Sequence, residues 1–480
     1  MILQNNNMTE YLKKTYMLFF CLFAFIISYG KDINILDRGA KPDGIFDNTS
    51  IIQEAINECH DDGGGTIYFP SGIFRSGGIF LKDNVSLSLH KMSILKAISN
   101  ETLYLGRHFS ESGFIRLDSV YNVSITGEGT VDGSGDEEAF QKGNNGMTRP
   151  YLIHVRDSRK IDIKGITLKN AAFWTLRLLG NEGVRIDGVN ILGHANWNND
   201  GIDIDSKDVI VSNCFIDVDD DAICLKSDRA NQICENITVT NCVLASNCNY
   251  IKFGTASHGG FRNIAISNCV LKPASVSHLR KWNERIEGVK DSISGTSGIA
   301  LEVVNGGFID QVAISNMSMR GVQTPIFIRL GGKRHPKGMS GSLKNVTISN
   351  VIAYACSKIP STITAAPGLQ VENITLRDIR VVNTVSESDK GILSRPVTEG
   401  LEEYPENRMM GHSLPGSGLY VRRAKNILID NFQIETQAPD ARPVMWFDNA
   451  YKVTVRHVRD LSNNTQESVI KKESEVMVLQ

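Results

Sequence analysis

The stretch KDVIVSNCFI at residues 207–216 returns as NITVTNCVL at 236–244 and as NIAISNCVL at 263–271. In each copy apolar and polar residues alternate, which is the period of a β-strand with one buried face. The cysteines that end the SNC and TNC triplets, Cys214, Cys242 and Cys269, are 28 and 27 residues apart. A fixed period of this length indicates one solenoid coil per copy, so the sequence predicts a parallel β-helix.

Further copies extend the pattern from NVSITGEGTV, which begins at residue 122, to KVTVRHVRD at 452–460. An antiparallel sandwich with regular turns is the alternative, but the copies resemble one another residue by residue. Inward Ile, Val and Leu from stacked coils would form one elongated core. We therefore expect residues 31–480 to be a single all-β domain.

Each copy ends at a polar turn. Asparagine tolerates the left-handed backbone conformation there, and its amide can bond to the coils above and below. This reading covers Asn213, Asn241, Asn268, Asn316 and Asn350. The triplet cysteines should stack as a buried thiol column rather than bind metal, since metal sites need closely spaced pairs with histidine. Disulfide pairing of the other cysteines stays open.

Residues 48–59, NTSIIQEAINEC, fit an amphipathic helix with Asn48 or Thr49 as its cap, and the glycines at 63–65 end it. We expect this helix to close the N-terminal end of the solenoid. Three polar stretches break the period, at roughly 134–150, 275–297 and 386–417. They should be loops that leave one side of the rod, where binding residues tend to lie.

Residues 1–30 have the pattern of an export signal. A lysine pair precedes an apolar run from Tyr16 to Ile27, and small residues follow it. About a dozen apolar residues are too few to span a bilayer. We therefore expect export to the periplasm or the medium, with no membrane span.

The formal net charge is -2, and no basic stripe is present to displace counterions from phosphates. The composition therefore argues against a nucleic-acid partner. Charged residues make up 22% and apolar residues 41% of the chain, as in ordinary globular proteins. We expect a monomer.

Two groups of aspartates stand about one coil apart, in NNDGIDID at 198–205 and in DVDDD at 217–221. If the strands stack, these groups lie on neighbouring coils, roughly 4.8 Å apart. Opposed carboxylates suit glycoside hydrolysis, because one can donate a proton while the other activates water or attacks. Strand alternation predicts Ile202 and Ile204 inside and Asp203 and Asp205 on the surface, where these two aspartates are either solvated or held in position beside the site.

The segment DRGAKPDGIFDNTSIIQEAINECHDDGGGTIYFPSGIF at 37–74 resembles the entry segment of pectin-acting β-helices. With the acidic motifs, the chain resembles glycoside hydrolase family 28, the polygalacturonases and rhamnogalacturonase-like enzymes. The resemblance implies a right-handed, single-stranded β-helix. It also implies no metal, no cofactor and an acidic plant cell-wall polysaccharide or oligosaccharide as substrate.

The family's Asn-Thr-Asp-Gly motif is matched by Asn198–Gly201, and its Gly-Asp-Asp motif by Asp219–Asp221. By this match Asp220 is the general acid. Asp200 and Asp221 position and deprotonate the water, with inversion at the sugar carbon. Asn198, in the same motif, is a predicted substrate-binding residue.

Two positions depart from the family pattern. The family's Gly-His-Gly turn corresponds to a stretch without histidine, Asn247–Tyr250. The Arg-x-Lys pair that grips the uronate carboxylate would fall on Ala300 and Glu302. Because Glu302 would repel a carboxylate, we expect a leaving side that is not plain galacturonate, such as a branched pectin or rhamnogalacturonan fragment.

Several other side chains could bind substrate. Lys252 could offset the carboxylates or bind a substrate acid, and His258 could partly replace the missing histidine. Arg149 and Arg329 could grip uronates through two parallel hydrogen bonds. The ordinary alternatives are an exposed loop histidine and plain surface arginines.

Tryptophans are candidate stacking platforms for sugars. Trp197 is the best placed because it adjoins the Asn198 motif. Trp282 is a second candidate, whereas core packing is the expected role of Trp174.

Three functions fit this pattern. The first is an inverting, exo-acting glycosidase on an acidic plant polysaccharide. The second is a polysaccharide lyase on the same scaffold, which would use Ca²⁺ held by the acidic clusters and a Lys or Arg base. The third is a non-catalytic β-helix that binds glycans. The spacing of the acidic motifs favours the first.

Overall fold

A computed structural model describes residues 30–104, 112–141, 149–276, 294–333, 337–462 and 468–479. The predicted export signal at 1–30 therefore lies almost wholly outside the described residues. In the described part, no helix combines the length and the apolar character needed to cross a bilayer.

The secondary structure is almost entirely short strands. The strands up to the first acidic cluster are β1 Ile33–Asn34, β2 Asp43–Asp47, β3 Gly65–Phe69, β4 Gly72–Ser76, β5 Ile79–Phe80, β6 Val85–Leu89, β7 Ser93–Ala97, β8 Gly113–Asp118, β9 Tyr121–Gly127, β10 Thr130–Asp132, β11 Tyr151–Arg156, β12 Arg159–Lys164, β13 Thr167–Lys169, β14 Leu176–Asp187 and β15 Asn190–Gly193. The remaining strands are β16 Ile202–Ser212, β17 Phe215–Val218, β18 Ile223–Ser227, β19 Cys234–Thr240, β20 Val243–Ser246, β21 Asn249–Ser257, β22 Phe261–Pro273, β23 Gly295–Val303, β24 Phe308–Leu330, β25 Ser342–Ala355, β26 Ser361–Ala365, β27 Val371–Asn383, β28 Leu419–Thr436, β29 Met445–Asp460, β30 Val469–Lys472 and β31 Val476–Leu479. The α-helices are α1 Thr49–Asp61 and α2 Glu138–Gln141, and short 3-10 turns occupy Ile35–Arg38, Glu101–Leu103 and Lys390–Leu393.

The strands pair in parallel, each with its equivalent in the next coil. One column of register partners runs through Val209, Ile237, Ile264, Val312 and Val346. All five side chains are buried, and columns of this kind merge into one elongated apolar core. The predicted parallel β-helix is therefore confirmed, and the antiparallel sandwich is excluded.

Turn asparagines stabilise the stack as predicted, except that the amide of Asn268 donates to the Oγ1 of Thr240 at 3.3 Å rather than to Asn241. Asn268, Asn316 and Asn350 have φ of 58°, 57° and 52°, which is the left-handed region. The amide of Asn316 donates to the Oδ1 of Asn268 at 2.9 Å, and the amide of Asn350 donates to the Oδ1 of Asn316 at 3.1 Å. Asn213 follows the pattern with an aspartate partner, since its amide donates to the Oδ1 of Asp187 at 2.7 Å.

Replacing Asn316 with Ala should lower the free energy of unfolding by about 3–4 kcal/mol. Alanine keeps the Cβ but lacks the amide that lets asparagine tolerate the left-handed region, so a strain of ~1–2 kcal/mol is left uncompensated. The substitution also removes two ladder bonds, each worth about 1 kcal/mol. Urea denaturation followed by circular dichroism measures the effect. Asn316→Gly, which tolerates this backbone, should lose clearly less; equal losses would contradict the strain argument.

The triplet cysteines form the predicted thiol column. Cys214, Cys242 and Cys269 are buried on successive coils, and each thiol donates to the backbone carbonyl two residues before it at 3.2 Å. Met317 continues the column as the register partner of Cys269. All eight cysteines of the described residues are free thiols, so disulfides do not hold this part of the chain together.

Helix α1 covers the N-terminal end of the core, as predicted. It buries Ile52, Ala55, Ile56 and Cys59. Asn48 occupies the cap position, but its side chain does not cap the helix. It bonds instead to the backbone of Lys41, Phe46 and Arg75, and so fastens the helix start to neighbouring strands.

The third predicted loop, called the 386–417 segment from here on, folds back onto the outer face of the β-helix. Its Met409, Met410 and Leu414 pack on Ala300, Phe327 and Tyr420 in a second apolar cluster outside the main core. Asn407 donates to the carbonyl of Thr296 at 3.0 Å. The segment therefore covers the strand face on the coils that follow β21.

Candidate active site

Strand register brings the two acidic motifs together. Ile202 lies opposite Ile223, and Asp203 lies opposite Cys224. Just before these pairs, the amide of Gly201 donates to the carbonyl of Asp221 at 2.9 Å. Asp200 and Asp221 therefore sit side by side on neighbouring coils, as the sequence predicts.

Asp200 is enclosed. It is 3% exposed, and its Oδ1 has no hydrogen-bond partner among the described residues. Burial, followed by the charge of Asp220, raises the pKa of Asp200 well above its ordinary value. This carboxyl therefore tends to hold a proton.

Asp221 has the opposite environment. Burial acts to raise its pKa, but the positive charges of Lys252 and Lys226 outweigh burial and lower it. The Nζ of Lys252 lies 3.1 Å from one carboxylate oxygen, and the side-chain amide of Asn249 donates to the other at 2.7 Å. Asp221 is thus held ionised.

Asp220 is the most accessible of the three, with 7% exposure against 3% for each of the others. Its Oδ2 accepts from the amide of Asn198 at 3.2 Å, and its Oδ1 accepts from the backbone N–H of Asp221 at 3.0 Å. Asn198 is itself oriented by Arg149, whose Nη2 donates to its Oδ1 at 3.3 Å. The carboxyl of Asp220 is therefore positioned through Asn198.

The prediction that two of the aspartates lie at the solvent surface is wrong. Asp203 and Asp205 are fully buried rather than solvated. Alternation does point them away from the core, but neighbouring coils cover them: the Nζ of Lys226 lies 3.2 Å from Asp203, and the backbone N–H of Asp228 donates to Asp205 at 2.9 Å. Burial raises the pKa of each to about 6.

The other two aspartates of the second cluster serve local structure. Asp217 accepts from His194 at 2.8 Å, and Asp219 accepts from the side chain of Asn247 at 3.1 Å. Of the DVDDD run, this leaves Asp220 and Asp221 for chemistry.

Sequence reasoning missed Lys226, Asn249 and Cys248. The thiol of Cys248 and the carboxylates of Asp220 and Asp221 lie within 4.8 Å of one another. This is a possible donor set for a metal, but it suits calcium poorly, because calcium takes oxygen ligands and a thiol is soft. Only a register alignment of the coils could have revealed these neighbours.

The predicted cationic residues lie in different places. Lys252 is at the carboxylates, as described. His258 is exposed and lies six residues further along the chain, in the turn after β21. Arg329 is fully buried, and its Nε donates to the carbonyl of Gly331 at 2.9 Å. The expectation of an accessible Arg329 guanidinium is therefore corrected.

Arg149 is also buried, and its Nη1 donates to the carbonyls of Ala172, at 3.0 Å, and Trp197. Its guanidinium lies 4.9 Å from the ring centroid of Phe173. Since these contacts engage much of the guanidinium, Arg149 affects the site by holding Trp197 and Asn198 in position.

Trp197 is 49% exposed beside Asn198, which keeps it a candidate sugar platform. Trp174 is not a core residue, contrary to expectation: it stacks on Phe173 at 5.2 Å, and the Nζ of Lys226 lies 4.5 Å from its ring centroid. Trp282 lies outside the described residues.

The coil after Lys252 carries Ala300 and Glu302, where the family resemblance places cations. Ala300 is the direct register partner of Lys252. Glu302 is 1% exposed, and its Oε2 has no hydrogen-bond partner in the described part. Burial raises the pKa of Glu302 to about 8.

A stacked-coil scaffold with a carboxylate-lined outer face defines the class of carbohydrate-active β-helices. Within that class, residues 83–395, more than half of the chain, match the model of glycosyl hydrolases family 28. The chain belongs to this family.

Individual relatives agree with this assignment. A probable polygalacturonase of Vitis vinifera is 30% identical over 215 residues, which cover 40% of this chain and 44% of the relative. An exopolygalacturonase of Zea mays is 22% identical, over 73% of this chain and 84% of the relative. The chain thus spans less than half of the Vitis protein.

Among solved structures, the exopolygalacturonase of Thermotoga maritima aligns with a TM-score of 0.63 and 22% identity. The alignment covers 74% of this chain and 88% of the other. At this identity the likeness speaks to the fold, which is the same parallel β-helix.

Proposed function

We propose that this protein is an inverting, exo-acting glycoside hydrolase that cleaves pectic polysaccharide or its oligosaccharides. The observation that carries the proposal is the unequal trio of carboxyl groups on neighbouring coils. Asp221 is ionised, while burial and the charge of Asp220 favour a proton on Asp200, so that the site holds a proton beside an ionised base. An acid and a base side by side are what glycoside hydrolysis requires.

In the proposed reaction, the accessible carboxyl of Asp220 gives its proton to the glycosidic oxygen as the bond to the sugar carbon breaks. Asp221 takes a proton from a water molecule that attacks the same carbon from the opposite face. Asp200 orients that water and can return a proton to Asp220. The Nζ of Lys252 lies 3.1 Å from a carboxylate oxygen of Asp221 and keeps this carboxylate ionised.

The exo mode is supported by the 386–417 segment. Tyr404 of this segment reaches the catalytic coils, where its hydroxyl lies 2.7 Å from the Oγ1 of Thr255 and 3.4 Å from the Nζ of Lys252. A long polymer could not continue across this end of the groove. The names of the Zea mays and Thermotoga maritima relatives, both exopolygalacturonases, agree with this proposal.

We further propose that the protein is exported to the periplasm or the medium, where plant polysaccharide is accessible, and that it acts as a monomer. The apolar run after the N-terminal lysine pair supports export. The proposed mechanism needs no metal or other cofactor, since the reaction can proceed with carboxyl groups and water.

Product analysis tests the proposal. With polygalacturonan and rhamnogalacturonan oligosaccharides, we expect one short product from the earliest times, little early fall in polymer viscosity, and new reducing ends of inverted configuration by NMR. A spread of intermediate sizes would contradict exo action. An unsaturated product absorbing in the ultraviolet would indicate a lyase, and binding without cleavage would indicate a glycan-binding protein.

A further inference from the structure

Cys248 differs from every other cysteine of the described residues, because it alone is not fully buried. It lies just before β21, on the coil that follows the catalytic aspartates. Its sulfur and one carboxylate oxygen each from Asp220 and Asp221 lie within 4.8 Å of one another. The proposed hydrolysis gives this thiol no task, so its place at the catalytic carboxylates needs another explanation.

Hydrogen bonds fix the thiol beside both carboxylates. The hydroxyl of Ser246 donates to the backbone carbonyl of Asp220 at 2.5 Å and accepts from the backbone N–H of Cys248 at 2.7 Å. The side-chain amide of Asn249 donates to the Cys248 sulfur at 3.4 Å and to the Asp221 carboxylate at 2.7 Å. The sulfur therefore acts as an acceptor here, which suits its thiolate form.

A third carboxyl group beside this pair has an atom that lacks a partner. Asp200 is 3% exposed, and its Oδ1 has no hydrogen-bond partner among the described residues. The amide of Gly201 donates to the carbonyl of Asp221 at 2.9 Å, and the amide of Asp220 donates to the carbonyl of Asn199 at 3.3 Å, so Asp200 is held against both aspartates. An unsatisfied buried oxygen calls for a partner. The attacking water is that partner in the proposed reaction, and a cation in the same place would be one in the resting protein.

The surrounding charges leave room for a cation. The Nζ of Lys252 lies 3.1 Å from Asp221, and the Nζ of Lys226 lies 3.2 Å from Asp203. Within the described part of the chain, Asp200 forms no ion pair, so two lysines face more carboxyl groups than they can neutralise.

The donor atoms decide which cation fits. Calcium and magnesium take oxygen ligands, whereas zinc binds thiolate sulfur and carboxylate oxygen together. Zinc–ligand bonds are roughly 2.0–2.3 Å long, so small side-chain rotations suffice to bring ligand atoms that lie within 4.8 Å of one another onto one ion.

We propose that Cys248, Asp220 and Asp221 form a site for a thiophilic divalent cation such as Zn²⁺ and that the bound cation stops hydrolysis. The Cys248 thiol binds as thiolate and releases its proton to solvent. The cation occupies the carboxylate oxygens that the reaction needs as acid and base. The inhibitory effect rests on the proposed glycosidase function, whereas the binding site does not depend on it.

The test adds ZnCl₂, CdCl₂ or CaCl₂ to the metal-free, full-length protein. Calorimetry should show that Zn²⁺ and Cd²⁺ bind at micromolar concentrations, each at a single site, and that Ca²⁺ does not bind there. Cd²⁺ should produce the ultraviolet charge-transfer band of a cadmium–thiolate bond. Cleavage of pectic oligosaccharides should fall along the same Zn²⁺ titration and return when a chelator is added.

Cys248→Ser should weaken Zn²⁺ binding by at least about 100-fold, beyond the 10–100-fold typical of losing an outer-shell partner of a metal. It should also abolish the cadmium band. Cys59→Ser is the matched control, since this buried thiol of α1 donates to the carbonyl of Lys31 at 3.4 Å and a hydroxyl can keep that bond. The control should bind both metals like the wild type, with folding of each variant checked by circular dichroism.

The outcomes separate this inference from the proposed function. Unchanged Zn²⁺ binding in a folded Cys248→Ser protein, cadmium binding without the thiolate band, or equally tight Ca²⁺ binding would each refute the site. Binding without loss of cleavage would refute the inhibitory effect. If the metal-free protein cleaves no pectic oligosaccharide, the proposed function fails, while calorimetry and the cadmium band still decide whether the cation site exists.

Discussion

Replacing Asp220 with Asn is expected to lower kcat by roughly 10²–10⁴-fold, the range typical of general acid–base catalysis. An amide has nearly the same shape as the carboxyl group but no proton to give to the glycosidic oxygen. The oxygen of the new amide can still accept a hydrogen bond from the backbone N–H of Asp221, which lies 3.0 Å from the Asp220 Oδ1 in the wild type. The measurement is kcat at saturating substrate. Substrate affinity, followed by calorimetry, should change by less than about tenfold.

Asp208→Asn is the matched control. Asp208 lies at an exposed, left-handed bend of β16 with φ of 54°, and its Oδ1 accepts from the side chain of Asn236 at 2.8 Å. An amide oxygen can accept this bond equally well, so activity should stay at the wild-type level. The acid assignment would be wrong if Asp220→Asn kept more than a tenth of the activity while Asp200→Asn lost it.

The fold could be predicted from the sequence because its determinants are local and repeated. Alternation placed Val209, Ile237 and Ile264 inside, and the period placed them in one column. The turn asparagines followed from the same alignment, since a left-handed turn in each coil favours the same residue type. The pairing of Asp200 with Asp221 also followed from one coil of spacing.

What could not be predicted depends on contacts between coils of unequal length. Alternation says which face a side chain occupies but not what covers that face. Asp203 was therefore expected in solvent, although Lys226 from the next coil encloses it. Arg329 was expected to be accessible, but the 386–417 segment lies over it, and its Nη2 donates to the carbonyl of Glu399 at 3.2 Å. A long irregular segment carries no periodic signal that would reveal where it folds back.

Lys252→Met is expected to give the second large effect, an activity loss of roughly 100-fold near neutral pH with a shifted pH profile. Lys252 lowers the pKa of Asp221, so the ionised base persists into acid. Without the ammonium group, burial and the neighbouring carboxyls dominate, and the pKa of Asp221 rises. Because the base, Asp221, must be ionised, the acidic limb of the pH profile of kcat/KM moves to higher pH.

The direction of this shift distinguishes an electrostatic role from a purely structural one. Loss of packing alone would lower kcat/KM by the same factor at every pH, and the limb would not move. Lys252→Arg keeps the charge and should keep the limb near its wild-type position. Lys226→Met removes a charge that pairs with Asp203 at 3.2 Å. The charge of Lys226 lowers the pKa of Asp221 less than the charge of Lys252 does. Lys226→Met should therefore move the limb less. If Lys226→Met moved the limb further than Lys252→Met, the base would have to be reassigned to Asp203, the carboxylate that Lys226 contacts.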